Sequence, residues 1–204
     1  MHGKGYFIVL EGLDGAGKTT VAHRLVEELE SRGFPAIYTY EPTDSEIVKA
    51  VKSIYSDLRD AYIDALAFAL DRLIHVKSLV KPFIEKGVTV VSDRYFYSSV
   101  AYQSASGAPF DWILEVNKYA LKPDVAIYLD VDPEEGLSRK TTSTSRFPEY
   151  EKKEFLHRVR EAYVRMVEIG LLTRVDASRP LGEVYAEVWS IVQGVIGRGH
   201  APRG

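Results

Sequence analysis

The chain has 204 residues, 46% of them hydrophobic, enough to bury the core of one domain. A formal net charge of -3 provides no basic field, which argues against a nucleic-acid or anionic-membrane partner. With no cysteine there is neither a disulfide framework nor thiol chemistry, as befits a reducing compartment. The apolar core of MHGKGYFIVLEG stops at Glu11, and no run approaches the roughly 20 residues of a membrane span, so a cytoplasmic protein is expected.

In chain order, the first predicted element is a strand, YFIVL (6–10), rich in β-branched and aromatic residues. It enters the segment GLDGAGKT (12–19), and a helical pattern over 18–31 follows, ending at Gly33. The strand AIYTY (36–40) precedes helical patterns over 46–57 and 62–86, the second with a kink expected at Pro82. The strand VTVVS (88–92) leads into helices at 98–105 and 111–120, and VAIYL (125–129) into a helix at 133–141. A helix at 151–169, the strand LLTRV (171–175) and a helix at 180–196 complete the pattern. This alternation implies right-handed crossovers and a five-stranded parallel sheet with helices on both faces, a three-layer α/β fold. One domain over 1–197 is expected, with a disordered tail at 198–204. Ligands should collect at the carboxyl ends of the strands.

The pattern Gly12-x-x-x-x-Gly17-Lys18-Thr19 is a phosphate-binding loop, and it has the strand before it and the helix after it that such a loop requires. Backbone groups of Gly12, Asp14, Gly15, Ala16 and Gly17, with Thr20 just inside the helix, can converge on phosphate oxygens. Lys18 can reach the outer phosphates and the Thr19 hydroxyl can ligate Mg²⁺. The bland alternative is a glycine-rich turn opening a helix. A regulatory GTPase is disfavoured, because the Asn117-Lys118 dipeptide continues Tyr119-Ala120 with no aspartate where guanine reading needs one. A ring-forming ATPase would need more chain. A small phosphotransferase remains.

Three constellations support that reading. In VVSDRYFYSSVAYQ (90–103), Asp93 at the end of a strand can hold a metal ion or its water, and Arg94 can clamp a phosphate; the alternative is an ion pair capping the sheet edge. Ser98 or Ser99 serves the site or merely caps the next helix. In LAFALDRLIH (66–75), Phe68 and Arg72 are four apart and share a helical face, pairing a flat apolar ring with a phosphate-binding cation, while His75 is read as structural. In SRKTTSTSRFPEYEKKEFLHRVREAY (138–163), a Ser/Thr-rich stretch between Arg139-Lys140 and Arg146 suits a lid over about 139–152 that brings cations over the transferring phosphates; the alternative is a solvated basic face.

Taken together, FIVLEGLDGAGKTT, EPT, FALDR, KPFIEKGVTVVSDRYFYSSVAYQ and PDVAIYLDVDPEEGLSRK resemble thymidylate kinase of the P-loop nucleoside monophosphate kinase superfamily over nearly the whole chain. The resemblance implies phosphoryl transfer from ATP-Mg²⁺ to dTMP within a homodimer. It implies that Asp14 holds the deoxyribose 3′-hydroxyl, that Phe68 stacks on thymine, and that Arg72 and Arg94 fix the monophosphate. Ser99 and Gln103 fall where the family reads the pyrimidine edge, Tyr102 where it excludes a ribose 2′-hydroxyl, and Glu41 where it organises the acceptor site and metal water. Lys18, Arg94 and a lid arginine would stabilise the transferring group, and Asp14 would complete the catalytic set.

The chain departs from the family pattern in three places. EPTDSEIVKAVKS offers Lys49 and Lys52 where many members have a glycine-rich stretch and an arginine. The phosphate loop carries no arginine between residues 13 and 16, so the lid must supply one, from Arg139 or Arg146 with Lys140 third. The lid has Ser145-Arg146 in place of an Asp-Arg pair. Adenine is expected near Val175-Asp176-Ala177-Ser178. The rival functions are a deoxynucleoside kinase, which needs a general base and no acceptor-phosphate clamp, and a non-catalytic nucleotide-binding module.

Overall fold

A computed structural model describes residues 4–139 and 152–199. Five strands, β1 (Phe7–Gly12), β2 (Ala36–Tyr40), β3 (Thr89–Asp93), β4 (Val125–Asp130) and β5 (Thr173–Asp176), form one sheet in the order β2-β3-β1-β4-β5. Every pairing is parallel, as the strand-helix alternation requires. Leu10 pairs with Asp93, Gly12 with Leu129, and Asp130 with Asp176, so the carboxyl ends of neighbouring strands form one edge. β1 lies at the centre, buried over its whole length, and the loop that follows it emerges between β3 and β4. That is the crevice where a doubly wound sheet takes its ligands.

The helices follow the apolar spacing closely. α1 (Lys18–Ser31) coincides with the predicted 18–31 and buries Val21, Ala22, Leu25 and Leu29. The pattern over 46–57 gives a shorter helix, α2 (Glu46–Ser53), opened by the Ser45 hydroxyl accepting from the Val48 N–H, and then a single 3₁₀ turn at Ser56–Leu58. α3 (Ala61–His75) is capped by Asp60, whose Oδ1 accepts from the N–H groups of Tyr62 and Ile63. The kink expected at Pro82 takes another form: a π turn, Val76–Val80, intervenes, and Pro82 falls in the first turn of α4 (Lys81–Glu85). Pro82 has no N–H to donate, and the wider turn upstream accommodates it, so the chain continues without a break.

α5 (Phe96–Ala105) begins two residues before the predicted start, and α6 (Phe110–Val116) ends earlier than expected, at Asn117. α7 (Pro133–Arg139) leads toward the expected lid, and α8 (Lys153–Glu168) and α9 (Leu181–Gly199) pack back on the sheet. The lid residues 140–151, including Lys140 and Arg146, and residues 200–204 of the expected tail lie outside the described residues. No helix among the described residues is long and apolar enough to cross a membrane.

Candidate active site

The phosphate loop follows from the central strand and three glycines with positive φ: Gly12 (146°), Gly15 (83°) and Gly17 (86°). A Cβ on Gly12 would stand 2.6 Å from the Leu129 carbonyl oxygen, and one on Gly15 would fall on the Gly136 carbonyl. Only glycine lets the loop lie this close to β4 and to the start of α7. Lys18 is buried and its ammonium donates to the Leu13 carbonyl at 2.8 Å. Burial pushes its pKa down to about 8, with Arg94 acting in the same direction and Asp93, Asp14 and Glu11 opposing.

At the start of α1 the Thr19 hydroxyl donates to Asp93 Oδ2 at 2.5 Å, which ties the helix to the end of β3. The other carboxylate oxygen of Asp93 is buried with no hydrogen-bond partner. A hydroxyl beside a carboxylate with an unused oxygen is a suitable hard-oxygen donor set for Mg²⁺. No cluster of three or more metal-binding side chains occurs among the described residues, so phosphate oxygens and water would complete the shell. The pair fits the ion expected from the sequence. Among the described residues Asp93 forms no ion pair with Arg94; its carboxylate takes the Thr19 hydroxyl, and Arg94 pairs with Asp14.

Arg94 turns away from its neighbour because its backbone is left-handed, with φ of 72°. The guanidinium donates to Asp14 Oδ1 at 2.5 Å, to the Ser98 hydroxyl at 3.0 Å and to the Tyr102 hydroxyl at 3.5 Å. Two residues expected at the sugar, Asp14 and Tyr102, are therefore joined by one expected at the phosphate. α5 begins at Phe96, so neither Ser98 nor Ser99 caps it. Ser98 instead donates to Glu11, and Ser99 accepts from Arg72.

Arg72 lies deeper and is only 3% exposed. Its Nε donates to Glu41 at 2.7 Å, Nη1 to Asn117 at 2.5 Å and Nη2 to Ser99 at 3.1 Å. Phe68 sits one turn earlier on α3 and is also buried. Gln103, one turn beyond Ser99 on α5, is buried with its amide oxygen unpartnered. Arg72 therefore shares a network with Ser99, a residue expected at the pyrimidine edge, and none of its hydrogen bonds reaches the phosphate loop. Both oxygens of Glu41 are taken, Oε2 by Arg72 and Oε1 by His75 Nδ1 at 2.9 Å, and His75 Nε2 meets the Thr39 hydroxyl at 2.7 Å. Glu41 is thus tied to both Arg72 and His75, and both ring nitrogens of His75, read from the sequence as structural, have partners that hold α3 against the end of β2.

Three supports were not anticipated. Asp71 receives the N–H and hydroxyl of Thr43 at 2.9 and 2.5 Å, pinning the turn after Glu41 onto α3. Asn117 donates to the Ile113 carbonyl while accepting from Arg72. Glu11, which ends in the loop's shadow, gathers four donors. The only sequence signal for them is a polar residue beside an apolar or motif position; their partners lie far away in the chain.

Of the two lid arginines, Arg139 is described. It donates to the carbonyls of Ala177 and Ser178 at 2.6 and 3.0 Å and pairs with Glu135 at 2.5 Å. It therefore engages the loop after β5, where adenine is expected. At the end of β4, Asp130 is buried among the Tyr128 hydroxyl at 2.8 Å, Arg160 at 2.8 Å and Arg174 at 2.6 Å.

The family profile for thymidylate kinase matches residues 10–188. A probable thymidylate kinase of Staphylothermus marinus is 53% identical over 188 residues, spanning 92% of this chain and 94% of that protein. One of Pyrococcus horikoshii is 39% identical over 201 residues, spanning 93% and 97%. One of Pyrobaculum calidifontis is 38% identical over 190 residues, spanning 92% and 95%.

Proposed function

The chain belongs to the thymidylate kinase family, and from that membership we propose how its residues divide the work of phosphoryl transfer. It phosphorylates dTMP to dTDP with ATP as donor, a step of dTTP synthesis. The observation that supports the division of labour best is the meeting of two cations at the phosphate loop: buried Lys18, which donates to the Leu13 carbonyl, and the partly buried Arg94, which donates to Asp14 and acts to lower the Lys18 pKa. Two like charges in a site of low dielectric repel, and a polyanion between them relieves the repulsion.

Lys18 and the loop backbone take the phosphates of ATP, while Arg94, held by Asp14 and Ser98, takes the phosphate of dTMP. The monophosphate oxygen is already a competent nucleophile, so no covalent intermediate or general base is required; alignment and charge neutralisation carry the reaction. Thr19 and Asp93 would hold Mg²⁺, which would supply neutralisation of phosphate charge. Arg72, expected from the resemblance at the monophosphate, is assigned instead to the pyrimidine beside Gln103, because it is braced by Glu41, Asn117 and Ser99, and Phe68 provides the stacking surface. The unpartnered amide oxygen of Gln103 suits the ring N–H of thymine. Tyr102 closes the sugar side, and Asp14 holds the 3′-hydroxyl. Arg139 serves the adenine end through the loop at 177–178, and Arg146 is assigned the transferring phosphate.

We also read the protein as a cytoplasmic homodimer, paired through the outer face of α3, where Tyr62, Leu66, Leu70 and Ile74 recur every four residues and stay exposed. A deoxynucleoside kinase would need a carboxylate free to act as base, whereas both oxygens of Glu41 are occupied. ADP release with ATP-Mg²⁺ against dTMP, dUMP, UMP, CMP, AMP, GMP and thymidine tests the reading. Fast turnover with dTMP that disappears in Lys18→Ala is the expected result. Turnover with thymidine alone would move the protein to the nucleoside kinases, and none with any acceptor would make it a binding module.

A further inference from the structure

Glu11 is a charged group that the transfer mechanism above does not use. It stands near the end of β1, immediately before Gly12, and is 0% exposed. An ionised carboxylate in such a place is unfavourable unless hydrogen bonds offset its lost hydration. Oε1 accepts from the N–H of Tyr95 at 2.7 Å and of Ser98 at 3.2 Å. Oε2 accepts from the Ser98 hydroxyl at 2.6 Å and the Tyr163 hydroxyl at 2.8 Å. Burial pushes the carboxyl pKa up, and Ser98, Arg94, Tyr163 and the Tyr95 N–H draw it back.

Three of these four bonds come from residues next to or bonded to Arg94, namely Tyr95 and Ser98. A non-glycine residue at φ of 72° is in a disfavoured backbone conformation, so the flanking chain must hold it there. On the near side the Arg94 N–H donates to the Leu10 carbonyl, and the Ser92 hydroxyl donates to the Arg94 carbonyl, each at 2.8 Å. On the far side the next N–H, that of Tyr95, goes to Glu11. At the side-chain end the Ser98 hydroxyl has one proton, given to Glu11, so toward Arg94 Nη1 it can only accept. Tyr163 brings α8, the helix that follows the expected lid, to the same carboxylate oxygen.

We propose that Glu11 is the positioning residue of Arg94, fixing both the left-handed turn and the direction of the guanidinium, with Tyr163 tying α8 to that arrangement. The inference rests on the reading of Arg94 as the ligand of the acceptor phosphate. Glu11→Gln keeps the size and one acceptor oxygen but presents an amide donor to the two hydroxyls. Because small misplacements of a positioning group can cost about 10²-fold, the single-turnover rate with dTMP should fall by about that factor, with little change in the KM for ATP.

A double-mutant cycle with Arg94→Ala separates this from a merely structural role. If Glu11 acts through Arg94, adding Glu11→Gln to Arg94→Ala should cost no more than a factor of about 2, the scatter expected of independent sites. Equal losses in both backgrounds, or an equal rise in the KM for ATP, would overturn the proposal. Should Glu11→Gln lack a cooperative melt, Tyr163→Phe carries the same cycle, because it deletes one hydroxyl and leaves the Tyr95 and Ser98 amides bound. A smaller loss with the same non-additivity supports Glu11, and an additive one refutes it. Wild-type turnover of dTMP in the same assay checks the functional reading separately.

Discussion

At the scale of single residues, the clearest constraint is the contact between Gly136 and the phosphate loop. A Cβ on Gly136 would stand 2.8 Å from the Asp14 carbonyl oxygen and 3.4 Å from Val131 Cγ1, and both obstacles belong to packed segments. Gly136→Ala must push the loop away from α7, so the KM values for both substrates should rise and stability should fall by about 1–3 kcal/mol. Gly182 in α9 has open space around its would-be Cβ, and there alanine should be neutral or stabilise by about 0.5–1 kcal/mol. Melting curves and KM values for the two variants check the contrast; matched behaviour would show that the contact does not matter. For the arginines flanking the lid, Arg146→Ala should lower kcat by roughly 10³-fold with ATP binding preserved, while Arg139→Ala should chiefly weaken ATP. Isothermal binding of an ATP analogue beside kcat separates the two, and a collapse of kcat in Arg139→Ala alone would reverse the assignment. The loop residues and the Phe68/Arg72 pair were legible because motif and helical spacing are local properties. The braces of Arg72 were not, since Ser99, Glu41 and Asn117 lie 27, 31 and 45 residues away in the chain. Glu11 was illegible for the same reason: nothing near it in sequence says that Tyr163, 152 residues on, will meet it.

At the scale of elements, strands and long helices were readable wherever periodicity and capping agreed. α1 matches to the residue because Gly17 opens it and Gly33 follows its end. The π turn before Pro82 was not readable, because how a proline is accommodated depends on the backbone upstream and not on the proline itself. What joins β4, β5 and α8 is likewise a matter of tertiary pairing: Asp130 receives Arg174 from β5 and Arg160 from α8. Burial alone would push the Asp130 carboxyl up, but hydrogen bonds from Arg160, Tyr128 and Arg174 outweigh it and hold the pKa below the ordinary carboxylate value. A depressed carboxylate stabilises the fold above its unfolded pKa of about 4 and loses that contribution as pH falls through the folded value. Asp130→Asn should therefore cost about 2–3 kcal/mol at neutral pH, with the deficit shrinking below about pH 4. Denaturant midpoints of the two proteins across acidic pH test this, and a deficit independent of pH would show that Asp130 acts by shape and not by charge.

At the scale of the whole molecule, the question is why α3 is apolar on two sides. Its inner side buries Ala61, Ala65, Phe68, Ala69 and Arg72, while Tyr62, Leu66, Leu70 and Ile74 are 46–54% exposed on the outer one. The helical pattern over 62–86 does not by itself say which side is covered; the fold shows which face each stripe takes. Ile54, Tyr55 and Leu58 continue the exposed set upstream, so seven of the ten large apolar side chains exposed among the described residues fall between 54 and 74. Covering the remaining area of one such half-exposed side chain contributes on the order of 1 kcal/mol. A two-fold pairing covers two such stripes, one from each chain, and the sum from their eight side chains, near the roughly 8 kcal/mol of a micromolar association, is enlarged by the upstream residues to offset lost rigid-body freedom. The pairing would also stiffen the helix that carries Phe68 and Arg72 on its opposite side, which links assembly to the acceptor pocket. Leu66→Glu combined with Leu70→Glu should then yield monomers by light scattering, because paired chains would bury four uncompensated carboxylates. In that variant the KM for dTMP should rise several-fold while the KM for ATP, whose proposed loop opens α1 and not α3, changes little. A variant that scatters as a dimer would place the interface elsewhere, and a monomer with unaltered KM for dTMP would show that α3 needs no partner to hold its acceptor face.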